Sequence, residues 1–399
     1  MQHTAGDPLT VLVIGGAGAM GRHTVRTIAQ LGSAKRLVVA DLDIERAARL
    51  ADEIGPVGEA LALDATDPEA MRRAFAGCDV VVNTMGPFAH FGTPVLRAAL
   101  QSGCDYVDID DDWEATLEAF ELDDLARANG CRAVIGIGAS PGTSNLCAVL
   151  AAARLDTVED LFTGWQLSSA VVEPEPDYPP SGNAAAAAQH WLLQCSGTIR
   201  VWEGGAPADV KPLDRVDFRF PGMGDVHAFT MGHPEAITLP RAVGGLRRCL
   251  NLQAGPTELF DQVRPVVEAY ESGRITLAEG AHLVESRPDM EGIGTDAPLP
   301  DIWALARGTR AGRPTSVAVY PHAKLPGRMG GHTGIPLALA VELLRQGRIG
   351  QVGVHTPETA IDPEDFFGLY ARLTQPPAGS VDEVLTIVEE WDGTVTFPD

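Results

Sequence analysis

From Leu9 to about Leu155, short apolar runs alternate with amphipathic stretches at helical spacing. Val11, Leu12, Val13 and Ile14 run straight into a glycine cluster, the pattern of a buried strand feeding a tight turn into a helix. A second apolar run, Arg36 to Asp41, ends in an acid. The pattern then predicts a helix near Asp43 to Ile54, a strand from Glu59 to Leu63 ending at Asp64, and a helix after Asp67-Pro68, where the aspartate caps and the proline takes the first turn. A strand at Asp79 to Thr84, a helix near Thr93 to Ser102, a strand at Asp105 to Ile109, a long helix near Trp113 to Ala128 and a strand at Arg132 to Ile137 follow. Alternation of this kind predicts an α/β fold with a Rossmann-type, doubly wound parallel sheet and right-handed crossovers over residues 1–145.

The rhythm changes at Ser140 to Asn145, where a domain boundary is expected. Gly- and Pro-rich segments, short β-like runs (Thr198 to Trp202, Asp214 to Phe220, Ser316 to Tyr320) and separate helices suit an α+β substrate-binding and dimerisation domain over 146–330. The acidic, proline-rich stretch Val172 to Pro180 reads as an exposed connector or a lid, ahead of an alanine-rich helix near Asn183 to Cys195. Thr333-Gly334-Ile335-Pro336 is expected to lead into a helix at Leu337 to Leu344, with proline near its start. Val384 to Trp391 and Thr394 to Phe397 flank Asp392-Gly393, a two-residue hairpin signal.

Composition narrows the function classes. The 399 residues exceed what one core usually supports, so two domains are expected. With 30 basic and 54 acidic residues the net charge is −24, which opposes attraction to nucleic acid or to an anionic membrane surface. Six cysteines lack disulfide or zinc spacing and read as small core residues of a reducing, cytoplasmic compartment. The opening eight residues read as a loose tail rather than a signal peptide, and no run of apolar residues is long enough for a membrane span.

The chemistry is expected where the strands end, because a doubly wound sheet binds its ligand beyond their carboxyl ends at the point where strand order reverses. Gly16, Gly18 and Gly21 form G-x-G-x-x-G: Gly16 for the tight turn, Gly18 for approach of a pyrophosphate to bare backbone, and Gly21 for close helix packing. Ala19 and Met20 open the helix that points its N–H groups at the phosphates. Asp41, twenty positions after Gly21, is placed to accept ribose hydroxyls, which favours NAD over NADP, although Arg46 one helical turn on softens that preference. Asp64 reads equally as a cofactor contact or a helix cap. In N-T-M-G-P-F, residues Asn83, Met85, Gly86 and Pro87 lie where the nicotinamide half belongs. Asp108, Asp110, Asp111 and Asp112 would suit a hard cation only if the backbone folded back on itself; Asp111 or Asp112 capping the next helix is simpler, and no metal is expected. His233 reads as either a structural or a catalytic histidine, and Arg241 as a partner for a local carboxylate or for a substrate's.

The runs Gly86 to Asp108 (G-P-F-A-H-F-G-T-P-V-L-R-A-A-L-Q-S-G-C-D-Y-V-D) and Gly136 to Leu146 (G-I-G-A-S-P-G-T-S-N-L) resemble the saccharopine dehydrogenase family, of the saccharopine reductase and carboxynorspermidine dehydrogenase type. The likeness continues through Trp191 to Val201, Gly232 to Arg241 and Thr333 to Phe367. It implies a homodimer that uses a nicotinamide cofactor to form or cleave a secondary-amine link between an amino acid and a carbonyl compound, by way of an imine. It also implies that 331–399 completes the first domain, that Tyr106 and Asp108 lie beside the substrate pocket, and that Arg241 and Thr333 contact an amino-acid-like substrate. Proton handling would then fall to Asp108, Tyr106 or His233. Hydride transfer at a C–O bond, or a nucleotide-binding sensor without turnover, are the competing readings.

Overall fold

The computed structural model describes residues 5–173, 175–178, 186–285 and 299–397. They form two compact units, the first made of Met1–Thr143, Val172–Tyr178 and Lys324–Val381, the second of Ser144–Val171, Pro179–Ala323 and Asp382–Asp399.

The first unit is a seven-stranded, all-parallel sheet. Its strands are β1 (Leu9–Ile14), β2 (Ala34–Asp41), β3 (Gly58–Ala62), β4 (Val80–Asn83), β5 (Asp105–Asp108), β6 (Arg132–Val134) and a late strand, Gly353–His355, in the order late strand-β6-β5-β4-β1-β2-β3. Strand order reverses between β1 and β4, so a crevice opens beyond their carboxyl ends. The connecting helices are α1 (Ala19–Leu31), α2 (Ile44–Glu53), α3 (Pro68–Phe75), α4 (Phe88–Gln101), α5 (Trp113–Phe120) and α6 (Asp123–Asn129). Asp43, Asp67 and Asp112 cap α2, α3 and α5, each accepting two backbone N–H bonds. The core is the continuous apolar face of β1, β2, β4 and β5 packed with Phe75, Leu96 and Leu100 from the helices.

Three helices depart from the sequence reading. The single helix expected at Trp113 to Ala128 is two, α5 and α6, separated at Glu121-Leu122. α4 begins at Phe88, five residues before the expected start, and carries Pro94 inside it. The helix expected at Leu337 to Leu344 runs from Arg328 to Arg345 with Pro336 in its interior. Close packing against α1 governs that last helix: a Cβ on Gly334 would lie 2.3 Å from the Met20 carbonyl oxygen, and the Thr24 hydroxyl donates to the Gly334 carbonyl at 2.9 Å.

The second unit is a mixed ten-stranded sheet of β7 (Thr157–Gln166), β8 (Ile199–Glu203), β9 (Ala206–Val210), β10 (Arg215–Phe220), β11 (Gly224–Thr230), β12 (Arg248–Ala254), β13 (Ile302–Arg310), β14 (Arg313–Pro321) and a terminal hairpin, Leu385–Trp391 and Thr394–Thr396. Its main path is β10-β11-β12-β7-β13-β14-hairpin, with β8 paired to β12 and β9 to β8. The hairpin turns at Asp392 (φ 48°) and Gly393 (φ 76°), both in the left-handed region a two-residue hairpin turn requires. It pairs with β14, so this hairpin extends the second sheet and only 324–381 return to the first unit; the expectation that all of 331–399 completes the first domain is corrected by that pairing. The alanine-rich helix is Ala186–Gln194, and residues 183–185 of its expected start lie outside the described residues.

Candidate functional site

The glycine turn is built from main chain. Gly15, at φ 68°, is the residue of the turn that takes the left-handed conformation, whereas the sequence reading gave the tight turn to Gly16. What Gly16 supplies is clearance, since a Cβ there would come within 2.9 Å of Val39 on the neighbouring strand. At Gly21 a Cβ would fall 2.2 Å from the Gly15 carbonyl oxygen, so only glycine lets α1 start this close to β1. Gly18 is the N-cap of α1 and offers no side-chain cap, and the first turn of the helix, opened by Ala19 and Met20, holds no acidic residue. This cradle fits a pyrophosphate: uncapped N–H groups and the positive end of a thirteen-residue helix face a spot with no competing carboxylate of the helix itself.

Two side chains brace the same turn from α2 and β2. Asp41 accepts from the Ala17 amide at 3.1 Å with one oxygen and from the Asp43 amide at 3.1 Å with the other. The Arg46 guanidinium donates to the Ala17 carbonyl at 3.3 Å. A carboxylate and a guanidinium therefore flank Ala17, on the side of the turn where a fold of this kind seats the adenosine ribose. Leu42, beside them, is 77% exposed.

The other lip of the crevice is the loop after β4. Thr84 ties it to the glycine turn through hydrogen bonds from its hydroxyl to the Ile14 and Gly15 carbonyls, at 2.8 and 3.0 Å. Asn83 accepts from the Met85 amide at 3.0 Å and donates to the Tyr106 hydroxyl at 3.1 Å. Tyr106 in turn hydrogen-bonds Asp108, whose Oδ1 accepts from the Asp110 and Gly136 amides at 3.0 and 2.7 Å. Residues 83, 106 and 108 thus form one buried chain of bonds joining the ends of β4, β5 and β6, with Met85, Gly86 and Pro87 half-buried above it. Tyr106 has no exposed surface and Asp108 is 2% exposed. Burial raises the Asp108 carboxyl to about 6, against the two amide bonds that favour its ionised form, and pushes Asp110 and the Tyr106 phenol up as well.

The acidic run after β5 is a series of Asx turns. Asp108 accepts from the amide of Asp110, Asp110 from that of Asp112, and Asp112 from those of Glu114 and Ala115, while Thr116 donates to Asp110 at 3.0 Å. Among the described residues no group of three or more His, Cys, Asp or Glu side chains is arranged to hold a metal ion. Asp64 is exposed and bonds Thr66 through both its amide and its hydroxyl; the helix cap at this corner is Asp67.

A cluster the sequence reading missed lies on α1. Glu175, from the short segment Val172–Tyr178, receives Arg22 at 3.2 Å and two nitrogens of Arg26 at 3.1 and 3.0 Å, and the Arg22, Arg26 and Arg46 guanidinium groups lie 4.8, 5.7 and 5.8 Å from the Tyr178 ring centre. The described part of Val172 to Pro180 is therefore fastened to the first unit rather than loose. Arg22 and Arg26, four positions apart and so on one face of α1, were the available signal. Thr333 sits on the helix Arg328–Arg345, its methyl 3.0 Å from where a Cβ on Gly138 would be.

The remaining predicted residues lie in the second unit. His233 precedes the helix Glu235–Ala242, and Arg241 is exposed in that helix's last turn. The His233 Nδ1 and a Glu235 carboxylate oxygen are 2.5 Å apart. The other Glu235 oxygen accepts from the Ser144 hydroxyl at 2.8 Å and from the Asn251 amide at 3.0 Å, and Asn251 also donates to Thr163 at 3.0 Å. All five residues are at most 2% exposed.

Taken together, the sheet order, the glycine cradle and the acid after β2 define a dinucleotide-binding fold of the Rossmann type. Residues 11–134 match the saccharopine dehydrogenase NADP binding domain, and this part of the chain is an NAD(P)-binding domain of the saccharopine dehydrogenase family. A Mycobacterium tuberculosis protein named among the trans-acting enoyl reductases is 26% identical over 157 residues, 38% of each chain. The trans-acting enoyl reductase of Mycobacterium leprae is 25% identical over 140 residues, 34% of each. The matched stretch is thus well under half the length of these relatives. Saccharopine dehydrogenase (L-Glu forming) of Saccharomyces cerevisiae, in its apo form, shares the fold with a TM-score of 0.61 at 15% identity, over 96% of this chain and 100% of that one. Among the described residues no helix is long and apolar enough to cross a membrane.

Proposed function

We propose that the chain is an NAD(P)-dependent oxidoreductase that transfers hydride to or from the C–N bond of an amino-acid-derived substrate through an imine. The observation that carries the reading is the uncapped glycine turn, tied by Thr84 to a rigid loop where a nicotinamide ring belongs. The reduced nicotinamide, when bound, supplies the hydride. The chain's own part is placement. The glycine turn holds the phosphates, Asp41 takes the ribose hydroxyls and favours NAD, Leu42 offers an apolar face to adenine, and the bonded series Asn83, Tyr106 and Asp108 keeps the Met85 to Pro87 loop in shape. A protonated imine is already a good electrophile, so orientation and exclusion of water supply most of the rate. Asp108, Tyr106 and His233 are the proposed proton-handling groups, and Arg241 and Thr333 the proposed substrate contacts. A homodimer is proposed with this reading.

The trans-acting enoyl reductase relatives favour one competing reading, hydride addition to an activated C=C bond on the same framework. Fluorescence titration with NADH and NADPH, followed by a panel of amino acids mixed with 2-oxo acids or aldehydes and a parallel panel of α,β-unsaturated thioesters, separates the two. NADH oxidation that requires both an amine and a carbonyl supports the C–N reading; oxidation with the thioesters alone replaces it; binding with no oxidation leaves a nucleotide sensor.

A further inference from the structure

Three guanidinium groups converge on one ring beside the glycine turn, and every residue involved belongs to the first unit. Arg22 and Arg26 come from α1 and Arg46 from α2, and all three lie within 5.8 Å of the Tyr178 ring centre. Arg46 also donates to the Ala17 carbonyl, and the amide of Ala17 donates to Asp41, so the cluster is continuous with the side of the turn that seats an adenosine ribose. Guanidinium groups gathered there are what a ribose 2′-phosphate requires, because each presents paired donors to its oxygens.

Two of the three already hold a carboxylate. Glu175 Oε1 accepts from Arg22 at 3.2 Å and from Arg26 at 3.1 Å, and its Oε2 accepts from Arg26 at 3.0 Å. Arg26 also donates to both oxygens of Glu53, at 2.6 and 3.0 Å. With Asp41 counted, three carboxylates balance three guanidinium groups, which leaves no surplus positive charge for a phosphate. Arg22 is 3% exposed, and a guanidinium that deep is strongly destabilising without an anion. The segment that supplies the anion is anchored: Val172 makes an antiparallel bridge to Arg328, and Tyr178 lies against the arginines.

We propose that Glu175 is a coenzyme-specificity residue: its carboxylate occupies the α1 arginines that would otherwise grip a 2′-phosphate, so the chain takes NAD(H) and turns NADP(H) away. This rests on the cofactor reading above, in which Asp41 meets the ribose hydroxyls. The two acids act differently. Asp41 repels a phosphate on the ribose, and Glu175 withholds the cations that would offset the repulsion. Removing Asp41 alone therefore moves the preference without inverting it, and inversion requires both substitutions.

The test is fluorescence titration of the full-length protein with NADH and NADPH, with 2′-AMP and 5′-AMP as competitors, in wild type, Glu175→Gln, Asp41→Ala and the double variant. Wild type should bind NADH more tightly than NADPH. Glu175→Gln should raise NADPH affinity by about tenfold while NADH changes by less than about threefold, 2′-AMP should gain where 5′-AMP does not, and the double variant should prefer NADPH. A wild type that prefers NADPH overturns the proposal. So does a Glu175→Gln protein in which the two dinucleotides shift in parallel, the outcome expected of a carboxylate that only fastens the segment. If Glu175→Gln does not fold, Asp41→Ala decides: NADPH bound no more tightly than NADH supports the proposal, and a preference for NADPH overturns it. No binding of either dinucleotide to wild type fells the cofactor reading and this inference with it, whereas binding with an unmoved ratio in Glu175→Gln fells this inference alone.

Discussion

The first unit meets its anion with main chain, and the second buries its own anion among side chains. At the glycine turn the design is subtractive: Gly16, Gly18 and Gly21 remove side chains so that N–H groups and a helix end face outward. Around Glu235 the design is additive, with Ser144, Asn251 and His233 drawn from three separate stretches to satisfy one carboxylate. The first device works by leaving space for a visitor, the second by leaving none. They should therefore fail differently, the first through ligand affinity and the second through the stability of the fold.

The widest separation is expected from Glu235→Ala. It strands a ring nitrogen, a hydroxyl and an amide around a cavity, and should cost about 3–5 kcal/mol in denaturant unfolding with NADH affinity little changed. A loss below about 1 kcal/mol would show that the cluster is not a stability element. Gly21→Ala should do the reverse. Its Cβ would collide with the Gly15 carbonyl at 2.2 Å, so NADH and NADPH binding should weaken by about a hundredfold, roughly 2.7 kcal/mol, by fluorescence titration. Retained affinity would remove the turn as the phosphate seat. Asp41→Ala sharpens the picture within the first device: it should lower NADH affinity by about tenfold and move the NADPH/NADH ratio toward NADPH, with Arg46 left beside the ribose position. An unchanged ratio would show that Asp41 only braces Ala17.

A last effect concerns pH. Burial raises the Asp108 carboxyl from 3.8 to about 6 and Asp110 in the same direction, so between those limits the folded chain holds protons that the unfolded chain has released. More protons bound in the native state means that stability falls as pH rises through this window, and the Asp108 share of the cost is complete above about 6. Unfolding free energies taken across that range should show the decline, shallower in Asp108→Asn, whose amide oxygen can still accept from Asp110 and Gly136. A rise with pH over the same interval would mean that the amide bonds outweigh desolvation.

How legible each region was follows from the same contrast. A turn that depends on missing side chains writes itself into local spacing, and the caps Asp43, Asp67 and Asp112 stand within three residues of what they satisfy. The parallel sheet was readable for the same reason. The bonded series through Asn83, Tyr106 and Asp108 was half visible: strand ends pointed to Asn83 and Asp108 and the family resemblance to Tyr106, but only packing shows Tyr106 wholly interior. Residues 144, 163, 233, 235 and 251 have no common spacing, and nothing local brings them together. The break at Glu121-Leu122 lacks glycine or proline and left no trace. Pro336 misled, because a proline that usually opens a helix here lies inside one held in place by its contact with α1.

The backbone passes from one unit to the other at five points, 143/144, 171/172, 178/179, 323/324 and 381/382. No single scission of the polypeptide can therefore release an intact half. A gene fragment ending near 143 would lack both the late strand Gly353–His355 and the long helix that shields α1, and one ending near 381 would strip the outer hairpin from the larger sheet. Dissection of this enzyme candidate into autonomous modules would have to begin with circular permutation or re-splicing, not with truncation.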